Sequence, residues 1–328
     1  MAFEFTYLAD LNTGDEKEVE YIIQPGLLPK GGLMLITGDP GIGKSFLARQ
    51  MGHEIACGRR LLGLFPTEMQ IVAYMDTEKH STVTRRRFGS EMWKKFYPDA
   101  LYNFGFYDNE TPMIDTARGL KSLIESFERF GAGTVIIDSF SMMLEDEGKR
   151  ETLKPAIKNL RKIAQTLGIA IILIHHLVKR QKMINRQTNK VEMPKIALDD
   201  IGGAKFLQYE VDTVIAVETP SPERRNVSFL KHSYCPIPMD SMEPLHFSFN
   251  GGRADPFKYM GNEQHILDHL DRGDNNIDHM AKAMNVSSRT VKTMGAKLQQ
   301  YGLLNVDIGT KGSGNSTGFS LPDFKYLS

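Results

Sequence analysis

The segment GDPGIGKS, Gly38 to Ser45, constrains the fold of this chain more than any other feature. Its spacing, G-x-x-x-x-G-K-S, falls directly after the apolar run LMLIT and directly before FLARQMGHEIA, a stretch of helical composition. A glycine-rich turn between a strand and a helix lets backbone N–H groups converge at a helix N-terminus, where partial positive charge favours an anion. Gly38, Asp39, Pro40, Gly41, Ile42, Gly43, Lys44, Ser45 and Phe46 are therefore expected to line a nucleotide-phosphate site. Lys44 would place a charge near the β- and γ-phosphates and the Ser45 hydroxyl would reach Mg²⁺, so ATP and Mg²⁺ are the expected ligands.

The rest of the chain fits an α/β architecture. LMLIT, IVAYM, LYNFGFY, TVIID and AIILIHH alternate with helix-compatible stretches, the pattern of a mostly parallel sheet with flanking helices. Three later runs, TVIAV, NVSFL and LHFSF, lie close together and are expected to add antiparallel strands at one edge. GGRADPFKYMGN combines glycines, a proline and charges as a linker does. The expected division is an N-terminal segment (1–24), a nucleotide-binding domain (25–251), a linker (252–261) and a small C-terminal domain (262–328).

Forty basic and forty acidic residues cancel, so any nucleic-acid partner must be met by a local basic surface. Cys57 and Cys235 are too few and too far apart for a disulfide framework or a zinc site, which fits a reducing compartment. The start, MAFEFTYLADLNTGDEKEVE, lacks a basic and then apolar leader, and no run of eighteen apolar residues occurs. A cytoplasmic chain with no membrane partner is expected.

Two further stretches supply acids for a phosphate site. In TVIIDSF, Asp138 ends a β-branched run and would lie at the C-terminal edge of its strand beside the phosphate loop, holding Mg²⁺ with Ser45. In IVAYMDTEKH, Asp76 and Glu78 follow a buried-looking strand, and Glu78 is the expected general base while Asp76 is structural.

Taken in order, LLPKGGLMLITGDPGIGKSFLARQ, IVAYMDTEKHSTVTRRRF, TVIIDSF, AIILIHHLVK and VSFLKHSY resemble the RecA superfamily of P-loop ATPases, and within it the plasmid RepA-type hexameric helicases with their phage and mobile-element relatives. The resemblance covers roughly residues 25–238. It implies that His175 or His176, with His176 preferred, senses the γ-phosphate. Adjacent strand histidines point to opposite faces, which argues against a metal there. It also implies a homo-oligomeric ring, a hexamer in the helicases, in which Lys231 acts across the interface on a neighbour's nucleotide. The arginine that often follows two positions later is Ser233 here, so the trans-acting arginine is unassigned, with Arg224, Arg225 and Lys205 as nearby cations.

The stretch KRQKMINRQTNKVEMPK carries Lys179, Arg180, Lys182, Arg186, Lys190 and Lys195 against one acid, Glu192. In RecA-like rings the corresponding loop lines the central channel, where cations track a single strand of DNA. Downstream, EQHILDHLD, IDHMAKAMN and SSRTVKTMGAKLQQYGLL, followed by a glycine-rich stretch around Lys311, look like a winged helix-turn-helix. Its third helix puts Val291, Met294, Leu298 and Tyr301 on one face and Arg289, Lys292 and Lys297 on the other, a candidate contact with duplex phosphates. These features lead to a DNA-dependent ATPase, a ring-forming helicase or helicase-like replication protein, with a RecA-like recombination or annealing ATPase and an ATP-switched DNA-binding regulator as alternatives.

Overall fold

A computed structural model of the chain describes residues 19–79, 81–88, 91–107, 112–144, 150–177, 183–185, 190–201, 204–239, 242–249, 257–307 and 318–323. In chain order the elements are β1 (Tyr21–Ile23), β2 (Leu28–Pro29), β3 (Leu33–Gly38), α1 (Lys44–Ala56), β4 (Val72–Asp76), α2 (Ser81–Phe88), α3 (Glu91–Phe96) and β5 (Phe104–Tyr107). They continue with α4 (Ala117–Phe130), β6 (Thr134–Asp138), α5 (Arg150–Leu167), β7 (Ala170–Ile174), β8 (Met183–Asn185), β9 (Lys190–Glu192), α6 (Ala204–Glu210), β10 (Thr213–Ser221) and β11 (Arg224–His232). The last are β12 (Leu245–Ser248), β13 (Lys258–Tyr259), α7 (Glu263–Asp271), α8 (Ile277–Met284), α9 (Ser288–Gln300), β14 (Asn305–Asp307) and β15 (Gly318–Ser320).

One nine-stranded sheet, ordered β13-β12-β11-β10-β3-β7-β6-β4-β5, organises the molecule. Its central strands are buried on both faces, which is why they read as unbroken apolar runs. The two-residue period still sorts their side chains. Met34 and Ile36 of β3, with Ile136 and Ile172, pack against α1 through Leu47, Met51 and Ile55. Leu33 and Leu35, with Val135, Ile137, Ile171 and Leu173, face α4 and α5 through Leu123, Phe127, Ile157 and Leu160. A slip of one residue in any of these strands would exchange the two faces.

The α/β class with a mostly parallel sheet is as expected, and the order of its elements refines the sequence reading at three places. TVIAV, in β10, runs parallel to β3 with Thr213 opposite Met34 and Val217 opposite Gly38, so it belongs to the parallel sheet. The crossover through α6 supplies the length that a parallel connection requires. Only β11, β12 and β13 are antiparallel additions. Within the expected linker, Phe257 is buried, and Lys258 and Tyr259 pair with Ser248 and Phe247, because an apolar side chain and an open sheet edge coincide there. Within the expected N-terminal segment, Tyr21–Ile23 pairs with β2 and buries Ile22 and Ile23 completely.

Helices α7 to α9 and the β14-β15 pair form the C-terminal unit. Val291, Leu298 and Tyr301 are buried and Met294 packs partly against them, the face the helical period indicates. This unit shares one apolar cluster with the α1 face of the large sheet, so its helices continue that core. Among the described residues no helix is long and apolar enough to cross a membrane.

Candidate nucleotide site

The loop between β3 and α1 is built for close approach by an anion. Gly38 has φ 151°, and a Cβ there would lie 2.4 Å from Ile42 Cδ1 and 2.6 Å from the Val217 carbonyl oxygen. Gly43 has φ 107° at the helix N-cap, a left-handed backbone open to glycine. No side chain caps this end of α1 and no acid stands in its first turn, so its N–H groups and dipole are left for a ligand. Asp39 is half-buried, and Pro40 and Gly41 form the exposed rim.

Lys44 is buried, and its ammonium donates to the carbonyls of Gly38 at 2.9 Å and Asp39 at 3.0 Å. Burial lowers its pKa, opposed by the charges of Asp138, Glu78 and Asp39. A cation strapped to loop carbonyls and ringed by acids fits a position that a polyphosphate would take over. Phe46, the last residue of the expected site, instead turns into an aromatic cluster with Trp93 at 5.1 Å and Phe249 at 5.6 Å between ring centroids.

Asp138 lies at the end of β6, in register with Asp76 at the end of β4. Its carboxylate accepts a 2.6 Å hydrogen bond from the Tyr74 hydroxyl. Burial pushes its pKa up, while the hydrogen bonds from Tyr74 and Ser45 pull it down. A divalent cation would reverse that balance. Among the described residues no cluster of three or more His, Cys, Asp or Glu could hold a metal. Ser45 and Asp138, hard oxygen donors in contact with each other, nevertheless fit Mg²⁺, which takes one or two protein ligands and fills its shell with phosphate and water. Tyr74 went unnoticed in the sequence, where one hydroxyl within IVAYM was the only signal.

The two acids after β4 part company. Asp76 is buried and closes its own turn, accepting from the Thr84 hydroxyl at 2.8 Å and the Lys79 amide at 3.2 Å. Glu78 stands at the mouth of the site with Oε1 3.2 Å from His176 Nε2. The hydrogen bond from His176, partly opposed by burial and helped by Ser139 and the charges of His176 and Lys79, holds its pKa at about 2. Thr77 ties this corner to β6, its amide and hydroxyl each donating at 2.8 Å, to the carbonyls of Asp138 and Ser139. The neighbouring histidines diverge: His175 is buried edge-on to Phe140 while His176 faces the cleft.

Of the other expected functional cations that are described, some are engaged within the chain and some face solvent. Lys231 donates to the carbonyls of Gln208 and Val211, both at 2.6 Å, at the C-terminal end of α6, where a helix offers unpaired acceptors. In the single chain its ammonium points into its own fold. Arg161, next to it, pairs with Asp212 at 2.6 Å. Arg224 is exposed on β11 and Arg225 is buried. The side chain of Lys205 lies outside the described residues, as do Lys179, Arg180, Lys182, Arg186 and Lys311. On α9, Arg289 and Lys292 are exposed, whereas Lys297 makes a 3.0 Å ion pair with Glu263.

Residues 2–182, more than half of the chain, match the AAA domain family AAA_25. The chain is also similar to the DNA repair protein RadA of Halalkalibacterium halodurans, 27% identical over 210 residues, covering 62% of this chain and 36% of that protein. RadA of Helicobacter pylori is 25% identical over 221 residues, covering 66% of this chain and 40% of the relative. The match thus spans well under half the length of these curated relatives. Among solved structures, a KaiC-like protein from Pyrococcus horikoshii superposes with TM-score 0.49 at 17% identity over 73% of this chain and 94% of that one. The RadB recombinase superposes with TM-score 0.46 at 20% identity over 72% and 93%. With its phosphate loop, lysine and strand-end acid carried on a mostly parallel sheet, the chain belongs to the AAA domain family.

Proposed function

We propose that this chain hydrolyses ATP and couples the nucleotide cycle to DNA. The observation that carries the reading is the convergence of Lys44, Ser45, Asp138 and the Glu78–His176 pair on a single glycine-rich loop. In this reading the loop amides from Gly38 to Phe46 receive the phosphates, and Lys44 exchanges its two carbonyl partners for phosphate oxygens. Ser45 and Asp138 would hold Mg²⁺, which when bound would supply charge compensation for the phosphoryl group. Glu78 accepts a proton from the attacking water as the water oxygen bonds to the γ-phosphorus and the bond to ADP breaks. A carboxylate held at a pKa of about 2 is a weak base. A γ-phosphate that draws His176 toward itself would release Glu78 and restore its basicity, which makes His176 the sensor.

DNA enters through the similarity to proteins named for DNA repair and through the exposed Arg289 and Lys292 on α9, the third helix of the expected winged helix. A homo-oligomer moving on single-stranded DNA, as a helicase does, is the finer form of the proposal, and strand annealing or recombination is its alternative. All forms imply a cytoplasmic setting. A second reading, an ATP-switched DNA-binding protein with slow turnover, is favoured by one observation, the inward-facing Lys231.

Steady-state ATP hydrolysis with and without single-stranded DNA decides between them, with Lys44→Ala as the control. Lys44→Ala should abolish nucleotide binding, and Glu78→Gln should bind ATP while turnover falls about a hundredfold or more. Strong stimulation by single strands supports the coupled ATPase. Lys44-dependent binding with negligible turnover supports the switch, and wild-type turnover in Glu78→Gln removes Glu78 as the base.

A further inference from the structure

Arg225 of β11 is 7% exposed, although its neighbour Arg224 turns to solvent. Its Nε donates to the Ile42 carbonyl at 2.6 Å, within the phosphate loop. Its Nη1 donates to the carbonyls of Ser221 at 3.2 Å, Pro222 at 3.1 Å and Arg224 at 2.8 Å. The guanidinium carbon lies 4.4 Å from the centroid of the Phe249 ring. Burial lowers its pKa, and no carboxylate of the described residues offsets that. Withdrawing a guanidinium from water without a counter-ion is unfavourable unless carbonyls and a ring face replace the lost hydration. Here all the acceptors are backbone oxygens, and one belongs to the residue before Gly43.

That carbonyl has a geometric consequence. A trans peptide is planar, so the Ile42 C=O and the Gly43 N–H point in opposite directions. With the carbonyl held toward β11, the Gly43 N–H must face the other side of the loop, away from β11. The guanidinium charge also polarises the peptide and strengthens that N–H as a donor. Behind it the loop has no room to retreat. A Cβ on Gly43 would lie 3.1 Å from the Phe249 ring and 3.4 Å from that of Phe257.

We propose that Arg225, backed by Phe249, is a positioning residue for the phosphate loop of its own chain, presetting the Ile42–Gly43 peptide so that its N–H meets a polyphosphate oxygen without reorganisation. The ligand class is the polyphosphate of a nucleoside triphosphate, and the proposal rests on the nucleotide-site reading above. It assigns the arginine a role in cis, in place of one across a subunit interface. Preorganised donors bind more tightly than donors that must be ordered on binding.

The test is calorimetric titration of ATP with Mg²⁺ into the full-length wild type, Lys44→Ala, Arg225→Lys and Arg225→Met, with the ligand-free Tm of each. Arg225→Met should weaken ATP binding about tenfold or more, the scale of one charge-assisted hydrogen bond. Arg225→Lys, which retains charge and a donor without the planar fork, should recover part of that loss and remain a few-fold weaker than wild type. The ligand-free Tm of Arg225→Lys should stay close to wild type. Wild-type affinity in Arg225→Met, with binding lost in Lys44→Ala, overturns the positioning role and leaves the nucleotide site standing. If Arg225→Met does not fold, wild-type affinity in Arg225→Lys overturns it instead. A wild-type protein that binds no ATP removes the nucleotide reading itself and the proposal with it.

Discussion

Glu78 and His176 are 98 positions apart, yet their 3.2 Å contact sets what either can do. With its pKa at about 2, Glu78 stays ionised throughout the range in which the protein would be assayed. Without the His176 ring, the largest cause of that depression disappears and the pKa moves up toward the usual glutamate value near 4.5. A base must be deprotonated to act, so kcat/KM should then fall as pH drops through that value. His176→Ala is expected to show an acid limb in kcat/KM, which reports the ligand-free enzyme, between pH 6 and pH 4.5 that is absent from the wild type, alongside a lower rate at pH 7.5. Superimposable acid limbs in the two proteins would separate His176 from the basicity of Glu78.

At the scale of one element, α1 carries more than the start of the phosphate site. Its side chains are buried nearly all round, between the sheet and the aromatic residues of α3, of the chain just past β12 at Phe249 and of the stretch leading to β13. Gln50 pairs with the backbone of Phe257 like a neighbouring strand, its amide donating to the carbonyl at 3.0 Å and its carbonyl accepting from the N–H at 2.6 Å. His53 lies between Trp93 at 4.6 Å and Phe104 at 4.2 Å, and burial lowers its pKa to about 4. Glu54, also buried, is pushed up to about 7 by that burial, although Leu62, Gln50 and Tyr97 donate to it.

These two shifts act on stability with opposite signs. The depressed His53 contributes stability that is present above its ordinary value of 6.5 and is lost as pH falls toward 4. The raised Glu54 contributes stability that is present below 4.5 and is lost as pH rises toward 7. Between pH 4.5 and 6.5 the slopes oppose each other, each at most about 1.4 kcal/mol per pH unit. Glu54→Gln should expose the histidine slope, so that stability from denaturant unfolding rises with pH across that window more steeply than in the wild type. Parallel pH profiles for the two proteins would refute the assignment.

For the molecule as a whole, the C-terminal helices behave as part of the core. Ile266, Leu267, Leu298, Tyr301 and Phe319 share one apolar cluster with Ile22, Leu28, Phe65 and Phe229. Arg60 grips Asp271 through two hydrogen bonds of 2.7 and 3.1 Å, though an ion pair this exposed adds little, about 1 kcal/mol or less. The apolar contacts dominate, at roughly 1.5–3 kcal/mol for each large side chain fully buried. The full chain should therefore unfold in one cooperative transition. Ending the chain at residue 261 should lower its Tm by about 10 °C or more, because several such side chains lose their cover. Two separate transitions, or a truncated chain with unchanged Tm, would show that the units fold independently.

What the sequence determined by itself was written in neighbouring residues. The loop from Gly38 to Ser45, the apolar strands, the helical stripe of Val291, Leu298 and Tyr301 and the strand-end position of Asp138 all follow from spacing and period, which are local properties of a polypeptide. Tertiary structure alone decided which group each side chain would meet. It turned Lys231 into α6, spent Lys297 on Glu263, set Tyr74 on Asp138 and laid Arg225 against Ile42 across 183 positions. It also made β10 parallel to β3 and drew Phe257 and β13, composed like a linker, against α1 and the sheet edge. A charged side chain exposed on an isolated element has solvent as its default partner. Only when the sheet closes and water is excluded do the acceptors within reach become few enough to choose one.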